Sequence, residues 1–306
     1  MPQARSNPSV AKSPSAANTG APVPQAHRSA QPRADLDIGL IYTYERAFLD
    51  RLLPQLRASG EGLRLRLILV DNASDDGVER WRGVFDGFTT PRNKRRLGYA
   101  ANLNRILEHA TAPYVLLLNS DMEFDAAEQC LDKMVRFMEA HPECGLSSCG
   151  VYHPDGKFAY PARRWQTPRV VVARRLGLGA GVVDHYLYRD RPPRDTFACD
   201  WVSGCFMLVR REAMEQIGRF DTRFGKYFED VDICQRMQLA GWSVMYHGEA
   251  RCIHFEQRAS RQLLSRDAAR HAWAYLQWLW KWRARPTPTR GASEGEQTTN
   301  TKQTTR

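Results

Sequence analysis

Two short runs constrain the fold of this chain more than any other feature. Leu-Arg-Leu-Ile-Leu-Val at residues 65–70 and Tyr-Val-Leu-Leu-Leu at residues 114–118 are apolar at nearly every position. Runs of that length and character suit strands buried on both faces, as parallel strands are. Residues 38–42 read as a further strand and residues 87–89 as a short one. Helical stretches lie between them, over residues 47–58, after Gly77, and over residues 97–111. Strands alternating with helices predict an α/β fold with a mostly parallel sheet flanked by helices. In such sheets ligands bind beyond the carboxyl ends of the strands. Two of those ends are acidic: Asp71-Asn72-Ala73-Ser74 closes one run and Asn119-Ser120-Asp121 closes the other. Either alone is an ordinary polar turn. Two at one edge of one sheet outline a site.

Further on, the pattern predicts a helix over residues 129–140 and a strand near 146–152. A strand with Gly204 inside it is expected over 201–209, and a helix over 211–217. A glycine within a strand permits close backbone approach. Short strands are expected at 244–246 and 251–254. Residues 153–198 are rich in Arg, Pro and Gly. They read either as a solvated variable loop or as a loop that meets the phosphate of a lipid-linked acceptor.

The densest chemistry lies at residues 220–242. Glu229, Asp230 and Asp232 sit where an aromatic run gives way to a helix, marked by Ile233, Met237 and Ala240 and closed by Gly241. Carboxylates at a helix N-terminus are favoured by its free N–H groups and dipole. Asp232 and Arg236 are spaced for an i,i+4 pair. Phe224, Tyr227 and Phe228 beside the acids predict a partly dry site, in which a carboxylate can act as a general base.

The pattern Phe-Asp-x-x-Phe-x-x-Tyr-Phe-Glu-Asp-x-Asp-x-x-x-Arg resembles the acceptor-side motif of the family 2-like inverting GT-A glycosyltransferases, most of all bacterial rhamnosyltransferase-type members. The likeness covers about residues 37–260. It implies a GT-A (Rossmann-like) domain over residues 35–267, its donor half about 35–150 and its acceptor half about 151–267. It implies a metal-dependent enzyme that moves a sugar, here rhamnose from dTDP-rhamnose, to a hydroxyl of a saccharide or lipid-linked glycan acceptor. Under the resemblance Asp230 is the base, and Glu229 and Trp201 face the acceptor. Asp71 contacts the nucleotide, Asp121 holds Mg²⁺ or Mn²⁺ on the donor diphosphate, and His254 is a further metal ligand. Thr43, Tyr44, Glu45, Asn72, Arg96, Asn102, Asn104 and Asn119 complete the donor side.

Three positions depart from the family pattern. Asn119 replaces the first acid of the metal motif, Glu45 stands where Asn is usual, and Arg96 stands where Asn is frequent. Glu45 and Arg96 either pair with each other, or Arg96 meets a phosphate. Blander readings stand beside several assignments: Trp201 as core, Asn102 and Asn104 as a solvated helix face, His254 as a structural histidine. A non-catalytic carbohydrate-binding protein of the same fold is the alternative, though it would not need to keep Asp121 and Asp230. A nucleotidyltransferase would want a glycine-rich phosphate loop after the first strand, and Thr43-Tyr44-Glu45-Arg46 is not one.

The formal net charge of +10 invites a nucleic-acid reading, but the charge sits at the ends. Residues 1–34 carry Arg5, Lys12, Arg28 and Arg33 and no acid, and residues 281–306 carry six basic groups against Glu294 and Glu296. That distribution suits an anionic surface better than a duplex-binding face, and no nucleic-acid partner is expected. The seven cysteines form no Cys-x-x-Cys pair, which favours free thiols in a reducing compartment. There is no apolar signal core and no membrane-length apolar run. A cytoplasmic protein is expected, soluble or peripheral at the inner face of the cytoplasmic membrane. Residues 1–34 and 286–306 are too polar to offset ordering entropy and read as disordered tails. Residues 268–285 read as a helix in which Trp273, Tyr275, Trp278, Trp280 and Trp282 alternate with Lys281, Arg283 and Arg285. That is the composition of a helix lying on an anionic membrane, unless the rings pack back onto the core.

Overall fold

The computed structural model describes residues 34–255 and 266–283. Apart from Ala34, the two tails expected to be disordered lie outside the described residues. The first half alternates as the apolar runs predict: β1 (Leu36–Tyr42), α1 (Arg46–Ser59), β2 (Leu65–Asp71), β3 (Gly87–Thr89), α2 (Tyr99–His109) and β4 (Tyr114–Leu118). Then come β5 (Met122–Glu123), α3 (Cys130–Ala140) and β6 (Cys144–Tyr152). The second half holds β7 (Ala162–Arg163), α4 (Pro168–Leu176), α5 (Ala180–Tyr186), β8 (Thr196–Ala198), β9 (Trp201–Val202) and β10 (Phe206–Arg210). It closes with α6 (Arg211–Ile217), α7 (Glu229–Leu239), β11 (Ser243–His254) and α8 (Arg266–Trp282).

The main sheet runs β3-β2-β1-β4-β10-β6-β11-β5, with β8 also on β11. The parallel arrangement expected from sequence holds over β3-β2-β1-β4. Beyond β4 the sheet is mixed. β10 runs antiparallel to both neighbours, while β6 and β11 are parallel to each other. The register of β1 on β2 is pinned by Asp37 opposite Arg66. That guanidinium donates to both carboxylate oxygens at 2.7 Å, and Asp37 also accepts the Thr111 and Ala112 N–H groups.

Side-chain alternation along β2 explains its continuous apolarity. Leu65, Leu67 and Leu69 join one core with Leu49, Leu52, Leu53 and Leu56 of α1 and Leu131 and Met134 of α3. Ile68 and Val70 join the opposite core with Leu103 and Ile106 of α2, Ile233 and Met237 of α7, and Trp278 and Trp282 of α8. Each face of the sheet is thus buried under helices. All seven cysteines are buried and unbridged. No described helix is long and apolar enough to cross a membrane.

Four local expectations need correction. The helix after Gly77 is only a 3₁₀ turn, Val78–Trp81. The strand expected over 201–209 is broken at Ser203 and Gly204 into β9 and β10. The two short strands near the end are one strand of 12 residues, irregular between His247 and Arg251. Residues 153–198 are no bare loop, since α4 and α5 stand within them. Their helical signal was hidden because glycines and arginines interrupt any apolar stripe.

Candidate active site

Parallel order brings the carboxyl ends of β1, β2 and β4 to one edge, so Thr43, Asp71, Asn72, Asn119 and Asp121 share it. Asp71 is buried. Its Oδ1 accepts the Ser74 N–H at 2.8 Å and the Ser74 hydroxyl at 2.6 Å, and its Oδ2 lies 4.0 Å from Arg92 Nε. The Asn72 amide oxygen accepts from Leu97 N–H at 2.8 Å and Asn93 Nδ2 at 3.0 Å, which ties the loop before α2 to this edge. Asn93 also donates to Asn102 Oδ1 at 2.6 Å. Asn102 is therefore buried and braces the loop, contrary to a solvated helix face. Asn104 is turned the other way. Its side chain both donates to the Phe220 carbonyl at 2.9 Å and accepts the Phe220 N–H at 2.8 Å, anchoring the start of the acceptor motif. Glu45 and Arg96 do not pair. The Glu45 carboxylate folds back onto the Thr43 N–H, and the Arg96 guanidinium lies 5.5 Å over the ring of exposed Tyr44. Arg96 has no ion pair or hydrogen bond to a side chain among the described residues.

Asp121 and His254 meet because β5 pairs antiparallel with the end of β11. His254 Nε2 lies 3.1 Å from Asp121 Oδ1, and the Phe255 N–H donates to the Asp121 carbonyl at 2.9 Å. Burial works against charge on this imidazole. Hydrogen bonding to Asp121 and Cys205 outweighs it and pushes the His254 pKa up to about 10. The cationic ring thus pairs with the carboxylate. Among the described residues, no three His, Cys, Asp or Glu side chains gather around one point. Asp121 offers carboxylate oxygens, His254 would offer Nε2 only on giving up the proton it shares with Asp121, and oxygens of a bound diphosphate would supply the rest, as is usual for Mg²⁺-type sites. The residues present fit a cation that arrives with its substrate.

The acceptor side is built on a strained turn. Tyr227 (φ 75°) and Phe228 (φ 68°) are consecutive non-glycine residues in the left-handed region, directly before α7. Such backbone persists only where its surroundings over-determine it. Here α8 does so. The His271 ring packs tilted and edge-on at 5.2 Å from Tyr227 and 5.3 Å from Phe228, and Tyr275 and Trp278 pack on Phe228 at 5.5 and 6.0 Å. One turn into α7, Asp232 is fully buried among Arg236 Nε at 3.0 Å, Lys281 Nζ at 2.6 Å and Trp282 Nε1 at 3.0 Å. The i,i+4 pair read from sequence is thus part of a larger buried network, which two residues of α8 complete.

Held this way, Glu229 points inward and Asp230 toward the cleft. Glu229 Oε2 is buried without a hydrogen-bond partner. Burial first, then the neighbouring Asp230 charge, raises the Glu229 carboxyl well above its ordinary value. Asp230 is half-buried, and its Oδ2 accepts the Gly204 N–H at 3.0 Å. Burial raises its pKa as well, opposed by that N–H and by the Arg163 charge. Of the two, Glu229 is held the more strongly toward its protonated form, by deeper burial and by the Asp230 charge. Trp201 is no open sugar platform. It is 4 % exposed, its Nε1–H donates to the Arg164 carbonyl at 2.8 Å, and Arg163 covers its ring at 4.8 Å. The short β9 turns it into the core against Tyr186.

The two sides are joined through Tyr99. Its hydroxyl lies 3.0 Å from Asn119 Oδ1 and 3.2 Å from the Gly204 carbonyl, and the Gly204 N–H in turn holds Asp230. The Tyr99 N–H donates to the Gly225 carbonyl at 2.8 Å. A Cβ on Gly98 would come within 3.1 Å of that same oxygen, so the start of α2 and the acceptor motif meet closely only because residue 98 is glycine. Tyr99, Arg163, Lys281 and His271 escape sequence reasoning. Only Tyr99 carried a signal, its place after Gly98.

Comparison with known proteins gives a consistent picture. Residues 40–218 match the family described as glycosyl transferase family 2, and residues 193–275 match glycosyltransferase-like family 2. An N-acetylglucosaminyl-diphospho-decaprenol L-rhamnosyltransferase of Mycobacterium tuberculosis is 29% identical over 253 residues, 74% of this chain and 78% of that protein. A rhamnosyltransferase of Escherichia coli (strain K12) is 36% identical over 67 residues, 22% of this chain and 25% of that one. The solved mannosyltransferase of Pyrobaculum calidifontis, in complex with GDP-Man and Mn²⁺, has the same fold, with a TM-score of 0.58 at 20% identity. That match covers 85% of this chain and 67% of the other.

Proposed function

The chain belongs to glycosyl transferase family 2, and from that premise we propose that it is an inverting glycosyltransferase moving rhamnose from dTDP-rhamnose to a sugar hydroxyl of a lipid-linked diphosphate acceptor. The observation that carries the reading is the hydrogen-bonded chain Asn119–Tyr99–Gly204–Asp230. It sets a raised, half-buried carboxylate opposite the strand ends where a nucleotide sugar would lie. The relative from Mycobacterium tuberculosis supplies the sugar and acceptor class.

Asp230 takes the proton of the acceptor hydroxyl as the oxygen attacks the anomeric carbon. The bond to the nucleoside diphosphate breaks on the opposite face, which inverts the configuration. The Gly204 N–H aims Asp230, and protonated Glu229 avoids a second charge beside it. On the donor side Asp71 and Asn72 orient the nucleotide, and Arg96 meets a phosphate. A divalent cation held by Asp121 and His254 would offset charge on the leaving diphosphate. In a panel of nucleotide sugars offered with N-acetylglucosaminyl diphosphoprenol, dTDP-rhamnose is expected to be the donor consumed. Transfer from a UDP- or GDP-sugar, with none from dTDP-rhamnose, would remove the rhamnose assignment.

We also propose a cytoplasmic enzyme that reaches this acceptor by resting on an anionic membrane through α8. The helix is divided. Trp278 and Trp282 are packed, whereas Trp273, Leu276 and Trp280 are 64%, 56% and 61% exposed. Lys281 is no lipid contact, since it is committed to Asp221 and Asp232. Arg283 lies over the exposed Trp280 ring at 4.4 Å. The surface is therefore three apolar side chains with a basic rim, which suits reversible interfacial binding. Replacing Trp273, Leu276 and Trp280 together by Ser is expected to abolish co-sedimentation with phosphatidylglycerol vesicles at low salt. Equal sedimentation of variant and wild type would discard the surface.

A further inference from the structure

A groove of about 790 Å³ lies between α4 and α5, lined among others by Arg164, Trp165, Arg169, His185, Tyr186 and Asp200. Arg164 and Arg169 make this lining basic. The acid, Asp200, accepts the Trp165 N–H at 2.7 Å. Arg164 is held in place, its Nε donating to the His185 carbonyl at 3.0 Å and its guanidinium over Tyr188 at 4.1 Å. Arg169 is exposed and has no ion pair or hydrogen bond among the described residues.

Two further atoms single the groove out. Trp165 Nε1 and the Tyr186 hydroxyl are buried; the indole N–H has no hydrogen-bond partner among the described residues, and the hydroxyl lies within reach of Arg163. Buried polar groups are normally satisfied, and an unsatisfied one calls for an explanation. An indole N–H can only donate. A donor without an acceptor, beside arginines, suits a ligand rich in acceptor oxygens and negative charge.

The groove lies next to the base, on the acceptor side. Tyr186 lines it, packs on Trp201, and is close enough to Arg163 and Asp230 to feel both charges. Beside it α4 and the following turn expose Val172, Leu176 and Leu178. The Tyr275 hydroxyl of α8 reaches the Gln166 carbonyl at 3.5 Å, so the lead into α4 adjoins the helix with the exposed tryptophans. An acceptor whose sugar sits at Asp230 would present its next group to this groove and its chain to an apolar surface.

We propose that the α4–α5 groove is the subsite for the diphosphate of the acceptor, with Arg169 and Trp165 Nε1 as donors to its oxygens and Arg164 as a fixed charge behind them. This deepens the proposed function and rests on it for the identity of the acceptor. The test is calorimetry of the full chain with dimethylallyl diphosphate, with excess dTDP and Mn²⁺ present to fill the donor site. Wild type is expected to bind. Arg169→Ala, which removes no hydrogen bond or ion pair among the described residues, is expected to weaken binding about tenfold or more, as loss of a hydrogen bond between charged groups does. Trp165→Phe, which keeps the packing, is expected to weaken it about fivefold, in line with a single lost donor. No binding by wild type, or equal binding by wild type and both variants, overturns the subsite. These readouts need no turnover. If binding behaves as stated and no rhamnose is transferred, the donor assignment fails while the subsite stands.

Discussion

Replacing Asp230 by Asn is expected to lower sugar transfer by about 10²–10⁴-fold, the usual cost of losing a general base. Donor binding should survive, because among the described residues the Asp230 carboxylate accepts from backbone N–H groups at Gly204, Val231 and Asp230 itself and from no donor-side side chain. The amide oxygen of Asn can still accept the Gly204 N–H, so the turn before α7 should keep its shape. Isothermal titration with dTDP separates the two effects. A variant that keeps most of its turnover would remove Asp230 from the base role. Wild type should show the matching pH dependence. Burial raises the Asp230 pKa, and the base works only when ionised. Transfer should therefore fall on acidification, and begin to fall at a higher pH than an ordinary exposed aspartate would give.

The second large effect is expected at Asp121. Asp121→Ala should abolish transfer and, with it, the part of dTDP binding that depends on Mn²⁺. The argument is the donor set. With Asn119 in place of an acid and its amide oxygen near the Tyr99 hydroxyl, Asp121 is the carboxylate at this strand end, and His254 faces it at 3.1 Å. A neutral imidazole alone is a poor site for a hard cation. Backbone pairing of β5 with β11 carries Asp121 independently of its side chain, so folding is not at stake. Calorimetry of dTDP with and without Mn²⁺ decides it. Metal-assisted binding that is unchanged in the variant would sink the assignment.

The strands were legible because each buried face leaves its mark in the residues that form it. Leu65, Leu67 and Leu69 answer to one helical layer, Ile68 and Val70 to the other. The acidic strand ends and the aromatic-to-acidic junction before α7 were legible for the same reason, since local chemistry suffices there. What stayed hidden depends on distant partners. Asn102 looks like a surface amide until Asn93 is seen beside it. Asp232 looks like half of a helix pair until Lys281 and Trp282 arrive from α8. Trp201 looks like a sugar platform until Arg163 is seen lying over it. The helices α4 and α5 were masked by glycine and arginine, and the groove between them has no motif.

The network around Asp232 also imposes an order in time. Trp282 lies 50 residues downstream of the carboxylate it caps, and ribosomes deliver about 5–20 residues per second. For roughly 3–10 s of synthesis, α7 exists without the helix that neutralises Asp232 and clamps the left-handed turn at Tyr227 and Phe228. During that interval Asp232 has Arg236 beside it, but neither Lys281 nor Trp282 against a charge destined for full burial. The clamp on that turn can close only once α8 has been made.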